Sequence, residues 1–173
     1  MGWTVITTGV RGYDKLKEVA EKYEIRVDLY TPLLKSYVRK ANTRKPVLSV
    51  ARAYPNYVFV RGNILLLRKV PNAKFNYTMM NKMIMTITDK EIEDMKALEA
   101  KWSEEHDLRT NAVQKQPSFS VGDRVLIKSG VLQSRVGIVT GQIEWYVHVV
   151  VEDSDVRFTI HSGFLELLKQ GYA

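Results

Sequence analysis

The stretch YPNYVFV, residues 54–60, alternates as a β-strand does, with Tyr57 and Phe59 on one side and Val58 and Val60 on the other. An arginine stands just outside each end, at Arg52 and Arg61. A strand with one aromatic face in basic surroundings has two readings. The rings belong to the interior, or they form a docking face for a partner, and the strand alone leaves both open.

Charge bears on the choice. Residues 1–88 hold 16 lysines and arginines against 5 acids, a net +11, whereas residues 89–107 sum to −5 and residues 108–173 to +1. That asymmetry fits a basic module able to meet phosphate followed by a nearly neutral one, although a generally basic surface gives the same count. The 173 residues suffice for one domain or two small ones, and 45% apolar with 26% charged is a globular balance. There is no cysteine, which excludes disulfides and thiolate-bound metals and fits a reducing cytoplasm. The longest apolar run is the short ILLL at residues 64–67, and MGWTVITTGVRGYDK reads as no signal peptide, so no membrane segment is expected.

Working outward, WTVITT from Trp3 reads as a first strand and the Gly9–Gly12 segment as a turn. Asp14 is the expected cap of a helix whose apolar face is Leu16, Val19, Ala20 and Tyr23. RVDLYTPLLKSYV reads as extended chain broken at Pro32, and RKANTRKP, residues 39–46, as a turn with four positive charges. FNYTMM and MIMTI read as further extended pieces. Thr88 with Glu91 forms a capping box, with Ile87 and Ile92 as its hydrophobic staple, and Ile92, Met95, Leu98 and Trp102 keep one helical face apolar. SEEHDLRTNAVQKQPS is linker in composition. Beyond it DRVLIKSG, RVGIVTG, EWYVHVVV and VRFTI are closely spaced strands, as in a small barrel. The expected organisation is therefore a first domain over 1–104, a linker over 105–117 and a second domain over 118–173.

Two of these motifs coincide in one family. FSVGDRVLIKSGVLQSRVGIV, residues 119–139, resembles a KOW motif, with Gly122-Asp123 leading into a strand, a turn at Ser129-Gly130, and Gly137 where close backbone approach needs a glycine. YPNYVFV resembles the aromatic strand of the NusG amino-terminal (NGN) domain. Trp3, the YTPLLK segment, VPNAKF at residues 70–75 and TDKEIED follow in matching order. The chain thus resembles the NusG/RfaH family of transcription elongation and antitermination factors, as a divergent or specialised member.

The resemblance implies an α+β NGN domain, an antiparallel sheet with packed helices, followed by a five-stranded KOW β-barrel. It implies that the first domain binds the clamp helices of the largest RNA polymerase subunit, contacts upstream or non-template DNA and suppresses pausing or termination. Tyr57 and Phe59 carry over as the polymerase-binding rings, with Tyr54 and Trp3 as packing-prone additions. Arg39, Lys40, Arg44, Lys45 and Arg11 carry over to the DNA, against the plainer reading of solvated charge. The barrel is expected to recruit a further transcription factor or ribosomal protein. In its loops the family's Gly-Pro-Phe turn is Gly130-Val131-Leu132 and the later Ile-Phe-Gly loop is EDSDVRFTI, so Leu132 and Phe158 stand as its contacts. The segment after the aromatic strand is short, so the helix there is expected to be missing or reduced. A cytoplasmic monomer is expected. The KOW motif alone leaves an RNA-binding ribosomal or ribosome-assembly protein as the alternative.

Other features stay unpromoted. His106, His148 and His161 lack ligand spacing, and Met79, Met80, Met83 and Met85 read as core or interface fillers. GVRG lacks the pattern of a phosphate loop, and no catalytic constellation, metal site or cofactor is expected.

Overall fold

The structure is a computed structural model that describes residues 2–9, 11–38, 47–105, 117–128, 132–152, 154 and 156–168. In chain order the elements are β1 (Trp3–Thr7), α1 (Gly12–Lys22), β2 (Val27–Tyr30), β3 (Leu33–Val38), β4 (Val47–Arg52), β5 (Tyr57–Gly62) and α2 (Ile64–Lys69). They continue as β6 (Asn76–Tyr77), β7 (Met79–Met80), β8 (Met83–Ile84), β9 (Thr86–Ile87), α3 (Asp89–Glu105), β10 (Arg124–Ile127), β11 (Val136–Ile143), β12 (Tyr146–Val151), β13 (Arg157–His161) and β14 (Leu165–Leu167).

An antiparallel sheet in the order β2-β5-β1-β6, with β9 also on β1, organises the N-terminal half. Strand β5 sits inside it, pairing Tyr57 with Thr7 and Phe59 with both Val5 and Tyr30. The expected alternation holds, and its two faces enter separate cores. Val58, Val60 and Ile6 pack with Leu16, Val19 and Ala20 of α1 and with Leu67 of α2. Tyr57, Phe59, Trp3 and Val5 face the other way, toward α3 and the C-terminal strands.

Local chemistry accounts for most of the helices. At α3 the capping box forms as expected: Glu91 N–H donates to the Thr88 hydroxyl oxygen at 3.2 Å, and Thr88 N–H donates to the Glu91 carboxylate at 2.7 Å. Helix α2 spans six residues, so the expected reduction is observed. Helix α1 differs at its start, because Arg11 occupies the cap position without a side-chain cap. Asp14 falls in the first turn, where it meets Arg52 at 3.0 Å and favours the positive end of the helix dipole. Tyr23, expected on the buried face, is half exposed at the C-cap.

The chain breaks at Thr31-Pro32, as proline demands, before β3 and β4 form a two-stranded ribbon from Leu33↔Arg52 to Val38↔Val47. The FNYTMM and MIMTI pieces are more structured than expected. Strands β6 and β9 pair with two ends of β1, and residues 78–85 leave the sheet edge between them as a small hairpin.

The C-terminal strands form a five-stranded antiparallel sheet, β13-β12-β11-β10-β14. Gly137 is needed as expected, since a Cβ there would lie 2.2 Å from a Val149 methyl. Closure into a barrel is not seen: among the described pairings none joins β13 to β14. At the end of β13 one backbone group leaves the sheet for the N-terminal half, and two others prolong the existing pairings. His161 N–H donates to the Ala53 carbonyl at 2.7 Å, Ser162 N–H to Trp145 at 2.7 Å, and Lys128 N–H to Phe164 at 2.9 Å.

Candidate partner-docking face and basic groove

The aromatic side of β5 is sealed. Tyr57 is 8% exposed, Phe59 0%, Tyr54 2% and Trp3 5%. These rings therefore form no exposed apolar hollow of the kind a free docking face requires. The cover comes from about one hundred residues further along the chain. Phe158 of β13 stacks on Tyr57 with ring centres 5.3 Å apart and planes at 27°, and Phe164 meets Tyr54 edge-on at 5.7 Å. The Tyr57 hydroxyl donates to the Arg157 carbonyl at 3.4 Å. Within the N-terminal half Tyr30 links Phe59 to Trp3 by ring contacts of 6.1 and 6.5 Å.

A second seam joins α3 to the same C-terminal layer. Trp102 donates its indole N–H to the Lys35 carbonyl at 3.0 Å, which fixes the ring, and Gly163 lies directly on it. A Cβ at Gly163 would stand 2.2 Å from the Trp102 ring, so only glycine permits this approach. His161 is buried between Trp145, stacked at 5.4 Å, and Trp102, edge-on at 5.6 Å. One apolar cluster therefore runs from Trp3 through the β5 rings to Phe158 and Phe164.

The low-dielectric setting shows in the phenols. Burial pushes the Tyr57 hydroxyl up to about 12 and raises Tyr54 as well. Tyr30 is raised by burial and by Glu99, whose carboxylate accepts its hydroxyl at 3.1 Å.

The C-terminal contacts are not where an outside partner could reach them. Leu132 is fully buried and Phe158 is 2% exposed, both within the one cluster that spans the two halves. Of the residues that complete the seal, Phe164 was not singled out in the sequence, and Trp102 was named only as part of an apolar helix face. Only their tertiary neighbours mark them.

Of the basic residues, Arg39, Lys40, Arg44 and Lys45 lie outside the described residues, beyond the last pair of the β3–β4 ribbon. Arg11 is exposed and lines a groove of about 950 Å³ beside α1. It shares that groove with Lys15, Lys22 and Lys74, against one carboxylate, Glu18. Tyr23 stands at the rim with Lys22 Nζ 5.6 Å from its ring. The lysines were missed although Lys15 and Lys22 are spaced for one helical face. An electropositive groove with an exposed ring is suited to a phosphate backbone carrying bases. Among the described residues no cluster of His, Asp or Glu could hold a metal, and no helix is long and apolar enough to cross a membrane.

No protein-family model matches the chain, and no curated protein matches it. Among solved structures it is similar to that of the domain interaction in Thermotoga maritima NusG, at 19% identity over 97% of each chain with a TM-score of 0.38. It is also similar to the MjSpt4:Spt5 complex in conformation A, at 15% identity over 99% of this chain and 100% of that one, and in conformation B, at 16% identity over 100% of both, each with a TM-score of 0.30. Over the whole chain the likeness is loose.

Proposed function

We propose that this chain is a NusG-type transcription elongation and antitermination factor held in a closed state. Its N-terminal domain, residues 1–104, docks the Tyr57–Phe59 face on the clamp helices of RNA polymerase once the C-terminal domain, residues 118–173, swings away on the 105–117 linker. One observation carries the reading. Phe158 and Phe164 of a separate sheet cover Tyr57 of β5 and the adjacent Tyr54, in a cluster whose other wall is α3 of the N-terminal half. A face with such a cover can be exposed without dismantling the fold beneath it.

The Arg11 groove, together with the Arg39–Lys45 loop, takes upstream or non-template DNA by pairing with phosphates, which carries little sequence information. Neutralising Lys15, Lys22 and Lys74 should lower the dependence of DNA affinity on salt by roughly 0.7 in log–log slope for each single-strand phosphate no longer paired. An unchanged slope removes the groove from the DNA path. The C-terminal domain, freed by the same movement, offers Phe158 to a further transcription factor or ribosomal protein. The protein acts as a cytoplasmic monomer without a cofactor.

The test is transcription by purified multisubunit RNA polymerase on a pausing template, with the parent protein and with Gly163→Val, which forces the C-terminal layer off Trp102. Increased read-through, larger with the variant, is expected. If the opened variant neither binds polymerase nor changes pausing, the reading is wrong.

A further inference from the structure

The hairpin of β7 and β8 carries apolar side chains that stand clear of the fold. It leaves the sheet edge at Val5, anchored by hydrogen bonds Thr78 N–H to Val5 O at 3.0 Å, Val5 N–H to Met85 O at 3.0 Å and Met85 N–H to Thr78 O at 2.9 Å. Its tip turns through Asn81 and Lys82, both with positive φ, the geometry of a tight hairpin turn. The stem pairs Met79 with Ile84 and Met80 with Met83, and directly opposed residues share a face. Met80 packs on the same cluster that holds the β5 rings, and Met83 continues that face outward at 70% exposure. Met79 and Ile84 lie on the other face at 45% and 47%.

Edge protection does not account for this. Strands that only guard a sheet edge carry charge or proline, whereas this hairpin is apolar on both faces. A hairpin lying on a surface needs one apolar face; two suit insertion between elements of another protein. Unbranched methionines adapt to such a slot. No carboxylate occurs between Phe75 and Thr88, and Lys82 marks the tip, so the complementary slot is apolar with an acidic floor.

We infer that the Met79–Ile84 hairpin is the part of the polymerase-binding surface that stays open in the closed protein, and that it inserts into the same partner that the β5 rings later grip. The inference rests on the proposed function. Its support is continuity: Met80 packs on the cluster that contains the β5 rings, and Met83, on the same face of the hairpin, remains exposed while Phe158 covers Tyr57.

The test measures affinity for purified RNA polymerase, in the parent and in the Gly163→Val background, for a triple variant, Met79→Ser, Met83→Ser, Ile84→Thr. Roughly a tenfold loss is expected in both backgrounds, in line with the removal of a modest interface anchor. A control with Met79→Leu and Met83→Leu should bind as its parent does, with circular dichroism confirming that both sets fold. Undiminished binding by the triple variant overturns the inference. So does a variant that keeps polymerase affinity but loses a bubble-shaped oligonucleotide, since the hairpin then serves nucleic acid. If neither parent nor Gly163→Val binds polymerase, the proposed function itself fails, a different result from a parent that binds and a variant that binds equally.

Discussion

The two faces of β5 are equally buried and differently covered. Val58 and Val60 lie under α1 and α2, which join β5 within the same half of the chain. Tyr57 and Phe59 lie in a cluster that α3 shares with Phe158 and Phe164, which come from across a segment of linker composition. Burial therefore fails to separate a core from an occupied docking face. The useful distinction is whether the cover can leave.

The sharpest attack on this contrast is to hollow out each side. Leu16 and Leu67 are 1% and 0% exposed in the helix-side core, and replacing either by alanine should cost about 2–5 kcal/mol of global stability, read as a fall in Tm. Phe158→Ala removes a ring of similar burial from the other side. It should free the C-terminal layer while the N-terminal half keeps its own transition. If Phe158→Ala lowers that transition as much as Leu67→Ala does, the two faces are equivalent and the rings are ordinary core.

Gly163→Val tests the seam with a smaller effect. The indole of Trp102 is held by Lys35 and cannot retreat, so the added side chain should cost about 1–3 kcal/mol of closure. Small-angle scattering should show a larger radius of gyration, and Trp102 fluorescence should shift to the red. An unchanged radius means that the halves form one inseparable body.

Much of this layout is legible in the sequence because it is local. The alternation of YPNYVFV, the Thr88–Glu91 box, the break at Pro32 and the glycine at 137 each depend on neighbours along the chain or on backbone geometry. The seal is not legible, because Phe158 and Phe164 meet Tyr57 and Tyr54 only after both halves have folded. Phe158 and Leu132, expected to be contacts for an outside partner, are buried in this structure, and the Tyr57 contact of Phe158 comes from the chain's own other half. The hairpin at residues 78–85 looked like two extended pieces because its turn is Asn81-Lys82, without the glycine that usually advertises one. The five strands expected from their spacing are present, but the described pairings do not join the two edge strands, β13 and β14, into a closed barrel. Pairing at the last seam depends on where His161 and Ser162 send their N–H groups, and one of those goes to the N-terminal half.

The finest probe is a single oxygen. At neutral pH Tyr57→Phe should cost under about 1 kcal/mol, since it removes only a long hydrogen bond to Arg157. Its larger consequence lies in alkali. Burial raises the Tyr57 hydroxyl from an ordinary 10.0 to about 12, so the closed state favours the neutral phenol. That preference is fully present below pH 10 and is lost as the pH rises toward 12. Closure should therefore loosen in that window, with tyrosinate absorbance rising alongside the radius of gyration. Phenylalanine at this position cannot ionise, so Tyr57→Phe should move the opening midpoint to higher pH, with Tyr54, Tyr30 and Tyr146, all likewise raised by burial, supplying what alkaline sensitivity remains. An unmoved midpoint would mean that ionisation elsewhere opens the molecule. The Tyr57–Phe158 stack would then not be the contact that keeps the face shut.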